Sequence, residues 1–187
     1  KLCKKIIGID VNEVAIKFAR HLLDPLKGKI DCEFYCTKLE DAGFKEEEFD
    51  KIFSFCVIEH IPNYEEVLKE AYRILKCGGQ MILSLDSLEN INDQVILSKH
   101  KRDHNVQKYF TPKEIVLLLE SIGFKDIQCY PIFTSTFAKN LFIKGIKDNQ
   151  FKHKYFSSLL LYIFLYYQEW RSAGNLAGIF LVVKCRK

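Results

Sequence analysis

The sequence has no Cys-x-x-Cys pair and no histidine at the spacing of a zinc site, although seven of its 187 residues are cysteines. An odd number of widely spaced thiols does not make a disulfide framework, so we expect the cysteines to be reduced. Reduced thiols are typical of the cytosol, and we therefore expect a cytoplasmic protein.

A basic stripe is also lacking. The 28 Lys and Arg residues outnumber the 24 Asp and Glu residues, for a formal net charge of +4, but few are arginines and the lysines are spread along the chain. Domains that bind nucleic acids gather their basic residues on one face. We expect no nucleic-acid partner, and nothing in the sequence sets the oligomeric state.

No apolar run has the length of a membrane span. The longest, Leu159 to Tyr167, is far shorter than the roughly 20 residues that cross a bilayer. The segment 155–170 around it is predicted to be a helix, inside a helical insertion over 134–177. Because this helix is apolar all round, we expect it to be buried on more than one face. It would pack on the domain, form a dimer seam, cover an apolar acceptor, or lie on a membrane surface beside Lys144, Lys147, Lys152 and Lys154.

Short β-branched segments alternate with amphipathic ones along the chain. The strands are predicted at 4–9, 31–36, 51–57, 80–85, 125–133 and 178–184. The clearest helices follow Asn12, run from Tyr64 to Lys76 before Gly78-Gly79, and begin at the capping box of Thr111. The polar stretch 86–108 shows no such pattern. This alternation predicts one α/β domain over 1–187, with a doubly wound, mainly parallel sheet.

The order of several motifs resembles the class I S-adenosylmethionine-dependent methyltransferases, and among them the type 11 and ubiquinone-biosynthesis enzymes. The segments 49–61 (FDKIFSFCVIEHI) and 68–83 (LKEAYRILKCGGQMIL) are similar to the family's fourth strand, the next helix and the fifth strand. Gly8-Ile9-Asp10 resembles its second strand, and 121–124 (SIGF) its late turn. The resemblance implies a Rossmann-like sheet that ends in an antiparallel strand pair, with S-adenosylmethionine as the cofactor.

The same resemblance implies a set of cofactor-binding residues. Asp10 would hold the ribose and Val11 would lie against the adenine, while Cys56 and Val57 would line the methionine end. Lys38 stands where the family usually has the acid that binds the adenine amino group; Leu39 could still cover the ring, and Glu40 or Asp41 could replace the acid.

The sequence offers histidines as general bases. His60 could accept a proton from a hydroxyl nucleophile, and so could His100 or His104 in the polar stretch. The alternative is that the Glu59-His60 pair only fixes a loop. We expect no metal, because Cys56 stands where the ubiquinone-biosynthesis relatives have a further glutamate.

The family's glycine-rich first strand is missing from these residues and would precede Lys1. The resemblance therefore implies a chain that is incomplete at its N-terminus. The predicted function is methyl transfer from S-adenosylmethionine to a hydroxyl, amine or carbon of a small-molecule, lipid-like or glycan-linked acceptor. The alternatives are a nicotinamide cofactor held by Asp10, or a degenerate methyltransferase fold that acts as an interaction module.

Overall fold

The computed structural model describes residues 3–23, 28, 30–148 and 155–187. Its first unit is a strand, helix and strand. Strand β1 (Lys5–Asp10) and strand β2 (Asp31–Cys36) pair in parallel, and helix α1 (Glu13–Leu23) lies between them in the chain. The side-chain oxygen of Asn12 accepts hydrogen bonds from the backbone N–H groups of Val14 at 2.9 Å and Ala15 at 3.4 Å, which starts the helix as predicted.

The second sheet contains four strands in the order β3, β4, β6, β5. Strands β3 (Phe49–Phe55) and β4 (Leu75–Asp86) are parallel, whereas β6 (Phe180–Arg186) runs antiparallel to both β4 and β5 (Lys125–Ile132). The antiparallel pair at the C-terminal end of the chain is therefore confirmed.

Five further helices accompany this sheet in the described part of the chain. They are α2 (Tyr64–Ile74), α3 (Gln94–Asp103), α4 (Pro112–Ile122), α5 (Thr136–Asp148) and α6 (Tyr155–Arg171). The main core joins α2 and α4 to the sheet; its fully buried members include Leu68, Leu75, Met81, Leu83, Ile115 and Leu119. A second, smaller core lies beyond the end of β4, where Leu88 and Ile91 pack with residues of α3 and α5.

The boundary between α2 and β4 differs from the prediction. The helix ends at Ile74, and the strand begins at Leu75, before the two glycines that were expected to separate the two elements. Gly78 has a φ of 74°, and the pairing with β3 shifts register between Phe49 and Lys51. The two glycines therefore lie in a bulge inside the strand. Gly78 suits this bulge, because glycine adopts a positive φ without strain.

The polar stretch 86–108 contains a helix that the sequence did not reveal. Helix α3 begins at Asp93, whose carboxylate accepts hydrogen bonds from the N–H groups of Val95 and Ile96. Only Ile96 and His100 of this helix are buried, so its apolar face is too narrow to give a clear periodic signal.

Helix α6 does not have the burial that its composition predicted. Its apolar side chains are largely exposed, between 46% and 70%, at Leu160, Tyr162, Ile163, Phe164, Tyr166, Tyr167 and Trp170. Leu165 reaches the smaller core, and the Phe164 ring meets Phe137 of α5 edge-on at 4.8 Å. From residue 160 onward, the helix is therefore not buried on more than one face within this chain, and burial against a second copy or a membrane stays a prediction. Among the described helices, none combines the length and apolar character of a membrane span.

Strands β1 and β3 belong to different sheets, and each has one edge without a strand partner in the described residues. Apolar side chains are exposed on β3, at Phe53 and Phe55, and on α1, at Val14, Phe18 and Leu22.

Candidate functional site

The site is built where β3 and β4 end, which is the edge at which open α/β sheets bind ligands. Cys56 directly follows β3, and its thiol is exposed. Its backbone N–H donates to the carbonyl oxygen of Ser84 at 3.0 Å and lies 3.1 Å from the Ser84 hydroxyl oxygen. Its φ of 49° is in the left-handed region, so the chain turns sharply at this residue.

Glu59 is completely buried and joins three parts of the chain. Its carboxylate oxygen Oε1 accepts a hydrogen bond from the backbone N–H of Asp86 at 3.1 Å. Its carbonyl oxygen accepts from the N–H groups of Gln107 and Lys108, at 2.7 and 3.2 Å. The other carboxylate oxygen, Oε2, is buried without a hydrogen-bond partner in the described part of the chain. Burial raises the pKa of this carboxyl group above its ordinary value.

Asp86 is the last residue of β4 and is only 6% exposed. Burial raises the pKa of its carboxyl group to about 6, and the nearby Glu59 adds to the shift. Two buried carboxyl groups therefore lie close together, and the charge of Glu59 makes Asp86 harder to ionise.

His100 lies against Asp86 from helix α3. Its Nε2 is 3.9 Å from the Asp86 Oδ2, and its Nδ1 is 3.0 Å from the Tyr109 hydroxyl oxygen. That hydroxyl donates to the carbonyl oxygen of Leu97 at 3.2 Å, so Nδ1–H of His100 donates to the tyrosine oxygen and Nε2 carries the lone pair. Burial lowers the pKa of His100 to about 4, which keeps the ring neutral at neutral pH.

The two predicted bases lie beside this group. His60 is half-buried, with Nδ1 3.4 Å from the carbonyl oxygen of Asn105. His104 is exposed, and its ring centroid is 4.6 Å from that of His100. In the described residues, neither imidazole has a hydrogen bond to Glu59 or Asp86. Both can still be reached from solvent.

The predicted cofactor residues divide between the two sheets. Asp10 ends β1 with an exposed carboxylate, whose Oδ1 accepts a hydrogen bond from the N–H of Asn12 at 2.7 Å. Val11 is 69% exposed beside it, whereas Val57 follows β3 and is 44% exposed. After β2, Lys38 is exposed and Leu39 packs partly on the main core.

Asp86 is the site residue that sequence reasoning missed. Its position was visible, because an acid directly after the predicted strand 80–85 is placed at the same sheet edge as Cys56. Its pairing with Glu59 was not visible, because the two residues are 27 positions apart and meet only through the parallel pairing of β3 with β4.

Residues 1–83 match the family described as "Methyltransferase domain". Human arsenite methyltransferase is 31% identical over 135 residues, which are 64% of this chain and 34% of that protein. The mitochondrial ubiquinone biosynthesis O-methyltransferase of Rattus norvegicus is 26% identical over 133 residues, 66% of this chain and 39% of that protein. The resemblance to class I S-adenosylmethionine-dependent methyltransferases is confirmed. The chain spans less than half of the length of these two relatives.

Solved structures confirm the Rossmann-like α/β fold. Phosphoethanolamine N-methyltransferase 2 of Haemonchus contortus, in complex with S-adenosylmethionine, has a TM-score of 0.63 and 16% identity; the match covers 100% of this chain and 49% of that chain. The [4+2]-cyclase SpnF has a TM-score of 0.66 and 14% identity; the match covers 98% of this chain and 67% of the cyclase chain. Identities this low establish the fold and leave the reaction open.

Proposed function

We propose that this chain serves methyl transfer from S-adenosylmethionine to a hydroxyl, amine or carbon of a small-molecule, lipid-like or glycan-linked acceptor. The observation that carries the proposal is the placement of Asp10 at the end of β1 and of Cys56 directly after β3, in a chain whose first 83 residues match the methyltransferase domain. S-adenosylmethionine is the cofactor that this match and the cofactor-bound structural neighbours support.

Asp10 would hold the cofactor ribose. One oxygen of its carboxylate is used by the Asn12 N–H, and the residue is exposed, so the group can still accept hydrogen bonds from ribose hydroxyls. The adenine would be bordered by Val11 and Leu39, with Lys38 beside them. The methionine end would be lined by Cys56 and Val57. Lys38 cannot accept a hydrogen bond from the adenine amino group, so that contact would need Glu40 or Asp41.

The acceptor would lie near the ends of β3 and β4. A sulfonium carries an activated methyl group, so the protein has to align the acceptor and exclude water more than it has to supply reactive groups. His60 or His104 would take the proton that a hydroxyl or amine acceptor loses, since both are accessible and an imidazole nitrogen can accept a proton.

The alternative is a methyltransferase fold that acts as an interaction module without activity. Lys38 in the adenine position favours it, and the cyclase named above has the same fold and a name that describes a different reaction. For either function we propose a cytoplasmic protein, with peripheral membrane contact through 155–170.

Calorimetric titration with S-adenosylhomocysteine tests the cofactor site without knowledge of the acceptor. We expect the 187-residue chain to bind, and Asp10→Ala to weaken binding roughly ten- to a hundredfold, because a charged hydrogen-bond acceptor is lost. Asp10→Asn keeps an oxygen for the Asn12 N–H, so it separates ribose binding from the local turn.

Asp31→Ala is the matched control, because Asp31 is an exposed acid at the opposite end of the same sheet. If Asp10→Ala and Asp31→Ala bind as well as the parent, the ribose assignment is wrong. A folded parent chain that does not bind at all favours the interaction module.

A further inference from the structure

We propose that Cys56, Glu59 and Asp86 form a binding site for a divalent metal ion of the zinc type. A thiol sulfur and one carboxylate oxygen from each acid lie within 4.8 Å of one another. Tetrahedral zinc ligands stand about 3.3–3.5 Å apart, so small rotations of the side chains would complete three ligand positions. A water molecule or an acceptor atom would take the fourth.

The second observation is the unused oxygen of Glu59. The Glu59 side chain is entirely buried, and its Oε2 has no hydrogen-bond partner in the described residues. A buried acceptor of this kind is unfavourable unless something binds to it. Oε1 already accepts a hydrogen bond from the Asp86 N–H, so Oε2 is the oxygen left for a ligand.

The described lysines and arginines do not compensate the charge of the group, and His60 and His104 act on it only from beyond ion-pair distance. In the part of the chain that the structure describes, no Lys or Arg forms an ion pair with Glu59 or Asp86, and the nearest basic nitrogen to Asp86 is Nε2 of His100 at 3.9 Å. That nitrogen carries a lone pair, because Nδ1–H is directed to Tyr109. Sulfur, carboxylate and imidazole groups that all offer electron pairs suit a cation.

The thiol selects the kind of cation. Thiolate ligands favour Zn²⁺, whereas Mg²⁺ prefers oxygen ligands and octahedral geometry. This proposal differs from the sequence-based expectation of no metal. That expectation rested on the absence of a glutamate at position 56. Asp86, contributed by the neighbouring strand, supplies the carboxylate that the sequence pattern lacks. Cys56 is exposed, so an ion can enter from solvent.

Calorimetry with zinc chloride on the 187-residue chain tests the site. We expect one ion per chain, with Cys56→Ser and Asp86→Asn each weakening binding at least tenfold. Cobalt should give a sulfur-to-metal absorption band that is lost in Cys56→Ser, and millimolar Mg²⁺ should not displace zinc. None of these measurements needs methyl transfer or S-adenosylmethionine, so their failure is separate from failure of the proposed function.

Cys77→Ser is the control, because Cys77 is also exposed and its thiol donates to a carboxylate, that of Glu47, at 3.0 Å, yet it lies outside the group. Circular dichroism of each metal-free variant checks that it is folded. If either Asp86→Asn or Cys56→Ser does not fold, the other variant still tests the site. Zinc binding that Cys56→Ser and Asp86→Asn leave unchanged, displacement by Mg²⁺, or no binding by the folded parent would each overturn the proposal.

Discussion

Asp86 and His100 contribute to stability in opposite pH ranges. The pKa of Asp86 rises from 3.8 to about 6 on folding, so its contribution is full at low pH and is lost as the pH rises through about 6. The pKa of His100 falls from 6.5 to about 4, so its contribution is full above 6.5 and is lost as the pH falls through about 4. Between pH 4 and 6 the two effects nearly cancel.

Replacing Asp86 should make the histidine effect visible. In Asp86→Asn, we expect the free energy of unfolding, relative to the parent, to rise by about 2–3 kcal/mol between pH 4 and pH 7, since about two pKa units are removed. Urea unfolding with a chelator present measures the difference. Asp50→Asn is the control, because Asp50 is exposed and pairs with Lys76 at the surface. A difference that does not change with pH would show that Asp86 is not perturbed.

The elements differ in how far local sequence determines them. Helix α4 begins and ends as predicted, because the Thr111 capping box, the first-turn proline and the left-handed Gly123 are all local signals. Gly78 and Gly79 suit both a helix end and a strand bulge, and the pairing with β3 decides for the bulge. That pairing is a tertiary contact, as is the meeting of Glu59 with Asp86, so neither could be read from the chain.

The C-terminal end of helix α6 is hydrogen-bonded to the segment before α5. The Glu169 carboxylate accepts hydrogen bonds from the N–H groups of Thr134 at 2.7 Å and Ser135 at 3.0 Å, just before α5. The exposed aromatic and aliphatic side chains run from Leu160 to Trp170, and Lys144 and Lys147 of α5 are exposed. Aromatic residues next to lysines are typical of helices that lie on anionic membranes.

Trp170 is the single tryptophan of the chain and lies exposed on α6, so its fluorescence reports on this helix alone. We expect anionic vesicles to shift its emission to shorter wavelength, and high salt to reduce the shift because charge attraction is screened. Neutral vesicles should have a weaker effect.

Ile163→Ser combined with Tyr166→Ser should remove the membrane shift. Leu117→Ser, at an exposed apolar position of α4, should leave it unchanged. An emission that no vesicle alters, with a dimer that forms as concentration rises, would instead make α6 an interface between copies. If the emission is unaltered and the protein is a monomer at all concentrations, α6 only packs on its own domain.

At the scale of the whole molecule, the segment between β2 and β3 connects the two sheets along the chain and packs on the larger one. Leu39 packs on the main core, and the Arg73 guanidinium donates to the carbonyl oxygen of Phe44 at 2.6 Å. In the described residues, β1 and β3 each have an edge without a strand partner. Apolar side chains of β3 and α1 are exposed to solvent. Exposed apolar surface of this kind favours association.

The chain should therefore bind a hydrophobic dye under native conditions. Phe53 and Phe55 stack at 6.2 Å and are 54% and 65% exposed, so changing both to serine should reduce dye fluorescence and association. Leu117→Ser should change either quantity much less. Dye fluorescence no higher than that of a well-packed protein, with a single sharp melting transition, would contradict this prediction.

The separation of the sheets also affects how the protein unfolds. Asp10 belongs to one sheet, whereas Glu59 and Asp86 are held by the other, so backbone amides of β1 and β2 can exchange with solvent without opening the larger core. A ligand that contacts both sheets would bind only when both are ordered. Its binding would then slow amide exchange in β1 and β2 toward the rate of global unfolding, so cooperativity between the two halves would come from the ligand.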